Sequence, residues 1–249
     1  MQNKYTQSSG NSNYSGVKVL INFEIGLKNY NSHTTKLIFD NLSLGEIRDQ
    51  RSEIMDFGAG TGTIAEILRG KYQLIVDCIE VDSGLIDVLK RKKFKVFSNL
   101  EKLDYKYKYI YTSNVIEHIE DDLGVLKKLF ETLEVNGKLL IYVPAIPILF
   151  SNFDYRVGHF RRYQKKKLIK LVKEAGFSIE KCIYCDCLGF LAALIFKLKS
   201  KLLKNSDISL RNLIFYDKIV YPISKTLDLL GLKYIIGKNI LLVAKKVNN

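Results

Sequence analysis

The sequence predicts an α/β protein built on a doubly wound, mostly parallel, seven-stranded sheet with a helical insert toward its C-terminal end. Three observations carry that expectation. Short apolar runs alternate with helical patterns from residue 54 to residue 187, and such alternation packs as parallel strands joined by crossover helices. The run Lys138–Val143 (KLLIYV) is almost wholly apolar, as a central strand covered on both faces should be. A glycine-rich turn at 58–62 follows the first strand, and an acid closes the next strand, about twenty residues on, as in nucleoside-binding βαβ units.

Taken in order, residues 1–16 (MQNKYTQSSGNSNYSG) read as a flexible polar tail, and 17–249 as one domain. Lys28–Leu42 is helical in pattern, with Ser32 or Thr34 as N-cap and Leu37, Ile38 and Leu42 on one face. Preceding the first strand, it is placed to close over a ligand, with Tyr30 and Asn31 as the covering residues. Ser52–Gly62 (SEIMDFGAGTG) is a buried strand running into the turn. Glycines at 58, 60 and 62 let backbone turn sharply and approach a ligand where a Cβ would collide. A helix follows at Thr63–Arg69, and the second strand, Leu74–Glu80, ends in the acid that can accept from both ribose hydroxyls of a nucleoside. Ser83–Lys92 is a helix with Leu85, Ile86 and Leu89 toward the sheet; Phe94–Phe97 and Tyr107–Ser113 are the third and fourth strands. Asp122–Leu133 is a helix, Asn136-Gly137 a turn, and Lys138–Val143 the fifth strand. The segment Pro144–Tyr163 then precedes a helix at Lys165–Glu174 and strands at Phe177–Cys187 and Lys238–Lys246. Between those strands, 188–236 forms the insert: Leu188–Leu203 begins apolar and turns basic, and Leu213–Leu232 is a second amphipathic stretch containing Pro222.

A dinucleotide fingerprint would need its third glycine at position 63, where Thr63 stands. The G-x-G-x-G form, preceded by Asp56, resembles motif I of class I S-adenosylmethionine-dependent methyltransferases. Asn114–Asp122 (NVIEHIEDD, 114–122) resembles the "vleHie-D" stretch of the same family, and Gly158–Tyr163 a "GHxRRY" phrase found before a helix and an "aGF" turn in its "type 11" members. The resemblance covers roughly residues 50–180. It implies the Rossmann-like methyltransferase fold, with the final strand antiparallel, and S-adenosylmethionine as cofactor. It places Asp56, Gly58, Ala59, Gly60 and Gly62 along the methionine part of that cofactor, and Glu80 and Val81 at the ribose. Asn99, with Leu100, stands where an acid usually meets the adenine amino group; Ser113 and Asn114 line the methionine side.

The substrate is expected at Pro144–Tyr163, which leaves the fifth strand at the same rim. His159 is read as a general base, since an imidazole with a pKa near ~6.5 is mostly neutral at pH 7. Arg161 and Arg162 are read as anion ligands, with Tyr155 beside them. Methyl transfer from a sulfonium depends chiefly on alignment, so no metal is expected. The pair Glu117–His118 is read equally as a capped turn.

At 249 residues and 28.6 kDa, with 47% hydrophobic residues, the chain has ample material for a core. Its net charge of +13 admits an anionic partner, yet lysines are spread through nearly every segment and no basic, aromatic-interleaved stripe marks nucleic acid. The four cysteines form no disulfide framework, and strand alternation splits Cys182, Cys185 and Cys187 between two faces, against a metal. Reduced thiols, the absence of a signal-peptide pattern and of a ~20-residue apolar run lead to a cytoplasmic expectation. Lys197, Lys199, Lys201 and Lys204 beside an apolar face make the insert a candidate contact with the inner membrane face. The expected reaction is methylation, at oxygen before nitrogen or carbon, of a small-molecule, glycan or lipid-linked acceptor. The rival readings are a nucleoside-binding module without turnover and a nicotinamide-dependent oxidoreductase.

Overall fold

The computed structural model describes residues 15–47, 53–202 and 209–247. The expected tail lies outside these residues as far as 14, and a helix has begun by Ser15. Seven strands form one sheet: β1 (Ile54–Phe57), β2 (Val76–Ile79), β3 (Lys95–Phe97), β4 (Tyr107–Ser113), β5 (Leu133–Pro144), β6 (Ser178–Cys185) and β7 (Asn239–Lys245). Their order is β3-β2-β1-β4-β5-β7-β6. All neighbours are parallel except those of β7, which is antiparallel to both β5 and β6. The chain runs outward in one direction from β1 and in the other from β4. The loops after these two strands therefore diverge and leave a crevice at their carboxyl ends, where ligands of such sheets bind.

Every residue of β1 and β2 is buried because helices cover both faces. On one face α2 (Lys28–Asn41), α3 (Thr63–Tyr72) and α4 (Ser83–Arg91) bury Ile38, Leu42, Leu68 and Leu89 against Ile54 and Tyr111. On the other, α5 (Asp122–Thr132) and α7 (Lys165–Glu174) bury Leu126, Leu129, Leu168 and Val172 against Met55 and Ile110. Ile54 and Met55, adjacent in sequence, serve opposite faces, as strand alternation requires.

Three details depart from the sequence expectation. The fifth strand starts at Leu133, and the expected Asn136-Gly137 turn lies inside it. Asn136 has φ of 65°, and the pairing jumps from Tyr107–Leu133 to Tyr109–Lys138, so the turn signal became a bulge. Ser32 and Thr34 do not cap α2. Instead the carboxylate of Asp217, from the insert, accepts from Asn29 N at 2.9 Å and Tyr30 N at 2.8 Å, a cap no local pattern discloses. Finally, the insert comprises α8 (Cys187–Leu202), α9 (Leu210–Phe215), a π-helical turn at Tyr216–Val220 and α10 (Tyr221–Leu229). Pro222 follows the π-helical turn, with no break in the helix on either side, so the missing N–H of the proline falls where the helix has already left its regular hydrogen-bond ladder.

Candidate active site

The glycine turn is fixed to the end of β2 by two amides: Gly58 N and Ala59 N donate to Ile79 O at 2.9 and 3.0 Å. Gly58 and Gly62 both have φ near 80°, and each is closed in as well. A Cβ at Gly58 would lie 2.4 Å from Val115 Cγ2, and one at Gly62 2.7 Å from Leu89 Cδ2. Gly60 is different: among the described residues only Leu20 approaches its Cβ position, at 3.7 Å. Leu20 belongs to α1 (Ser15–Gly26), so the helix beside the loop is α1, where the sequence suggested Lys28–Leu42 as the cover. Tyr30 is instead buried, its hydroxyl 3.1 Å from Tyr142 Oη and accepting from Asn239 Nδ2 at 2.8 Å, and Asn31 Nδ2 donates to Phe23 O.

Glu80 sits where the sequence placed it, 8% exposed at the end of β2. Its Oε2 accepts from Gly60 N at 2.8 Å, and its Oε1 from Val81 N at 2.7 Å and Asp82 N at 3.0 Å. Three amides occupy three of the carboxylate's roughly four acceptor sites, so Glu80 shapes the loop and keeps one acceptor site, on Oε2, open. The Val81 side chain is 80% exposed above this turn. Asp56 is 3% exposed at the centre of the sheet; burial, opposed by Tyr111 and reinforced by the Glu80 charge, pushes its carboxyl up to about 7. Asn99 is exposed, its side-chain oxygen accepting from Lys102 N at 3.0 Å, and Leu100 packs against the core. Asn114 follows β4 with φ of 55°; its N–H donates to Tyr142 O at 2.8 Å and its Nδ2 to Ser113 Oγ at 3.3 Å.

Beyond Asn114, a 3-10 turn at Ile116–His118 runs beneath the Pro144–Tyr163 segment, and Phe160 N donates to Glu117 O at 2.8 Å. That segment is held by Asp154, which is fully buried. Asp154 accepts from Ser151 N at 2.9 Å, pairs with His159 Nδ1 at 2.8 Å, and receives Arg162 through Nε at 2.8 Å and Nη2 at 3.0 Å. Despite its burial, hydrogen bonds from His159 and Arg162 hold its carboxyl down at about 2. With Nδ1 turned to Asp154, the His159 Nε2 points back to Glu117 Oε1, 3.8 Å away, and the His118 ring meets the His159 ring edge-on at 4.5 Å. Burial drives Glu117 up to about 8 and His118 down to about 4.

Both arginines of this segment have partners within the protein. The Arg162 fork is committed to Asp154 and its side chain is 9% exposed, so it orders the segment and offers no fork to a substrate anion. Arg161 is bound to Asp122 Oδ2 at 2.6 Å and to Glu120 O at 2.9 Å, which likewise ties it to the turn before α5. Tyr155 remains 73% exposed and packs edge-on against Phe150. The sequence reading did not assign Asp154 a role; its spacing of five from His159 and eight from Arg162 was the available signal.

Residues 30–181 match the family model described as a methyltransferase domain. No curated protein matches the chain. Among solved structures, a SAM-dependent methyltransferase from Archaeoglobus fulgidus is 14% identical with a TM-score of 0.58, over 92% of this chain and 99% of that one. Phosphoethanolamine N-methyltransferase 2 of Haemonchus contortus, in complex with phosphomonomethylethanolamine and S-adenosylhomocysteine, is 15% identical with a TM-score of 0.61, over 95% of this chain and 58% of that one. The [4+2]-cyclase SpnF shares the fold as well, at 14% identity and a TM-score of 0.57, over 88% of this chain and 81% of that one. At such identities the fold is what is shared, and the chemistry has to be argued from the site.

Proposed function

The chain belongs to the methyltransferase-domain family and is an S-adenosylmethionine-dependent enzyme; from that premise we propose that it methylates an oxygen of a lipid-linked acceptor presented at the inner face of an anionic membrane. The cofactor lies along Gly58–Gly62, with Glu80 Oε2 on its ribose and Ser113 and Asn114 at its methionine end. The acceptor enters beside Tyr155, and His159, oriented by Asp154, acts on it. The methyl group passes from sulfur to the acceptor oxygen, the carbon–sulfur electron pair stays on sulfur, and the hydroxyl proton is released.

The observation that carries the acceptor class is the outer face of the insert. Leu191, Ile195 and Leu198 follow one another by four and three residues on α8. Phe215, Ile219 and Ile223 follow by four through α9 and α10. Each is at least half exposed. Exposed apolar stripes of this kind mark surfaces that meet an apolar partner. The charges around them are cationic: Lys199, Arg211, Lys218 and Lys225 are exposed, whereas Asp217 and Asp228 are turned inward onto backbone amides. An apolar face with a basic fringe suits an anionic bilayer surface. The face also continues to the rim, where Phe196 packs edge-on against Phe153 and Lys197 Nζ donates to Ile148 O. No helix among the described residues is long and apolar enough to cross a membrane.

Co-sedimentation tests this. The protein is expected to pellet with phosphatidylglycerol vesicles and stay in solution with phosphatidylcholine vesicles, and Ile195→Glu with Ile219→Glu is expected to abolish pelleting while S-adenosylhomocysteine binding persists. Equal behaviour toward both vesicles would return the acceptor to a free small molecule or glycan.

A further inference from the structure

Two of the chain's three histidines, His118 and His159, come together in the fold from positions 41 residues apart. Glu117 stands with them. One ligand-capable atom from each of the three lies within 4.8 Å of the other two. Four features make this more than a chance meeting.

Both carboxylate oxygens of Glu117 are buried, and neither has a hydrogen-bond partner. A buried carboxylate left alone is costly, and Oε1 faces the His159 Nε2 at 3.8 Å. The second feature is the orientation of the rings. His159 gives its Nδ1 to Asp154 at 2.8 Å, and His118 turns its Nδ1 toward Gly158, 3.8 Å from that residue's Cβ position. A carboxylate or carbonyl on one ring nitrogen is the arrangement that orients the other toward a metal. Third, Asp154 neutralises Arg162 through a bidentate contact, so the Glu117 carboxylate is the group left to attract a cation. The fourth is distance. Ligand atoms around a tetrahedral ion with bonds near 2.0–2.1 Å stand about 3.4 Å apart; the Glu117–His159 pair at 3.8 Å is within a few tenths of an ångström of that, and all three atoms lie within 4.8 Å of one another.

We infer that Glu117, His118 and His159 bind a divalent transition-metal ion, with the acceptor oxygen filling an open coordination position. Two imidazoles and one carboxylate suit zinc or another first-row ion, and three protein ligands leave room for a substrate. The inference deepens the function proposed above and rests on its placement of the acceptor at this rim. A cation at this point lowers the pKa of the hydroxyl bound to it. Bound there, the ion would ease loss of the hydroxyl proton to water, leaving the acceptor oxygen to take the methyl group while the carbon–sulfur pair stays with sulfur. His159 then serves by holding the cation. The sequence reading differs here, expecting no metal because methyl transfer depends chiefly on alignment; the three residues belong to two separate motifs, joined by the path of Pro144–Tyr163 over the 3-10 turn.

The test uses the full chain, stripped with a chelator and titrated with Co²⁺. One equivalent is expected to produce a visible d–d absorption band that Zn²⁺ abolishes by displacement. His118→Gln and His159→Gln are each expected to lose the band, while His33→Gln, at the remaining histidine, keeps it. Glu117→Gln is the stricter variant; far-UV circular dichroism checks its folding, and the half-exposed His118 serves if it does not fold. Absence of a band in the wild type, or an unchanged band in both His118→Gln and His159→Gln, overturns the inference. Calorimetry with S-adenosylhomocysteine on the same samples separates the outcomes. Cofactor binding without Co²⁺ binding removes the metal site alone, whereas loss of cofactor binding in the wild type strikes at the underlying reading.

Discussion

The rim over β1 and β2, where we place the cofactor, and the rim over β4 and β5, where we place the acceptor, are held in shape by different means. At the first, backbone does the work: Gly58, Ala59 and Gly60 donate to groups at the end of β2, and everything needed lies within about one βαβ unit. At the second, charged side chains reach across long separations. Asp154 gathers His159 and Arg162, Asp122 binds Arg161 and the Tyr163 hydroxyl, and Asp217 caps α2 from 187 residues away. A rim made of backbone, with the Glu80 carboxylate as its one side-chain anchor, is sensitive first to changes of shape. A rim made of ion pairs fails in the opposite way.

The largest expected effect tests the first half of that contrast. Gly58→Ala adds a Cβ that meets Val115 at 2.4 Å in a residue with φ of 79°. It should cost about 3 kcal/mol, from left-handed strain and overpacking together, read as a shifted urea midpoint. Adding Val115→Ala should recover part of this, and full recovery would mean that backbone conformation contributes nothing. Next comes Glu80→Ala, expected to weaken S-adenosylhomocysteine binding by about 1–3 kcal/mol through loss of a charged acceptor. Because three amides also lose their partner, Glu80→Gln should retain more affinity than Ala does; equal losses would mean that only the charge counts.

For the second half, Asp217→Ala should destabilise the fold by about 1–2 kcal/mol, the usual worth of helix caps, and Asp217→Asn by less. A neutral result for Ala would show that the distant cap is ornamental. The smallest effect is one of sign with pH. Burial lowers His33, which sits 2.7 Å from the Tyr221 hydroxyl, to about 4. The unfolded chain therefore takes up this proton near pH 6.5 and the folded one only near 4, so stability falls as pH drops through that window. Asp56, raised to about 7, behaves inversely: the folded form holds its proton longer, and stability falls as pH rises from the ordinary aspartate range to 7. Thermal melts of His33→Gln should lose the acid penalty, and those of Asp56→Asn the alkaline one.

This division also decides what could be read without coordinates. Gly58, Gly60, Gly62 and Glu80 announce themselves because φ, close approach and spacing along one βαβ unit are local properties. The seven strands were legible for the same reason, through period and apolar content. The partners of Arg161 and Arg162 were not legible because an arginine's partner is settled by tertiary contact, and nothing in "GHFRRY" shows that Asp122 and Asp154 bind them. The helix α1 was assigned partly to a tail because its role depends on Leu20 meeting Gly60 across the loop. His118 and Glu117 looked like a helix-opening turn, which they also are.

The Asp217 contact has one more consequence, for the order in which the protein is made. Residues 28–41 leave the ribosome early, yet the first amides of their helix find an acceptor only after residue 217 has emerged. Likewise the sheet edge cannot close until 239–245 slide between two strands already synthesised. The nascent chain must therefore wait with its second helix uncapped and its sheet edge unfinished, a pause in which the strands flanking the glycine loop have already emerged.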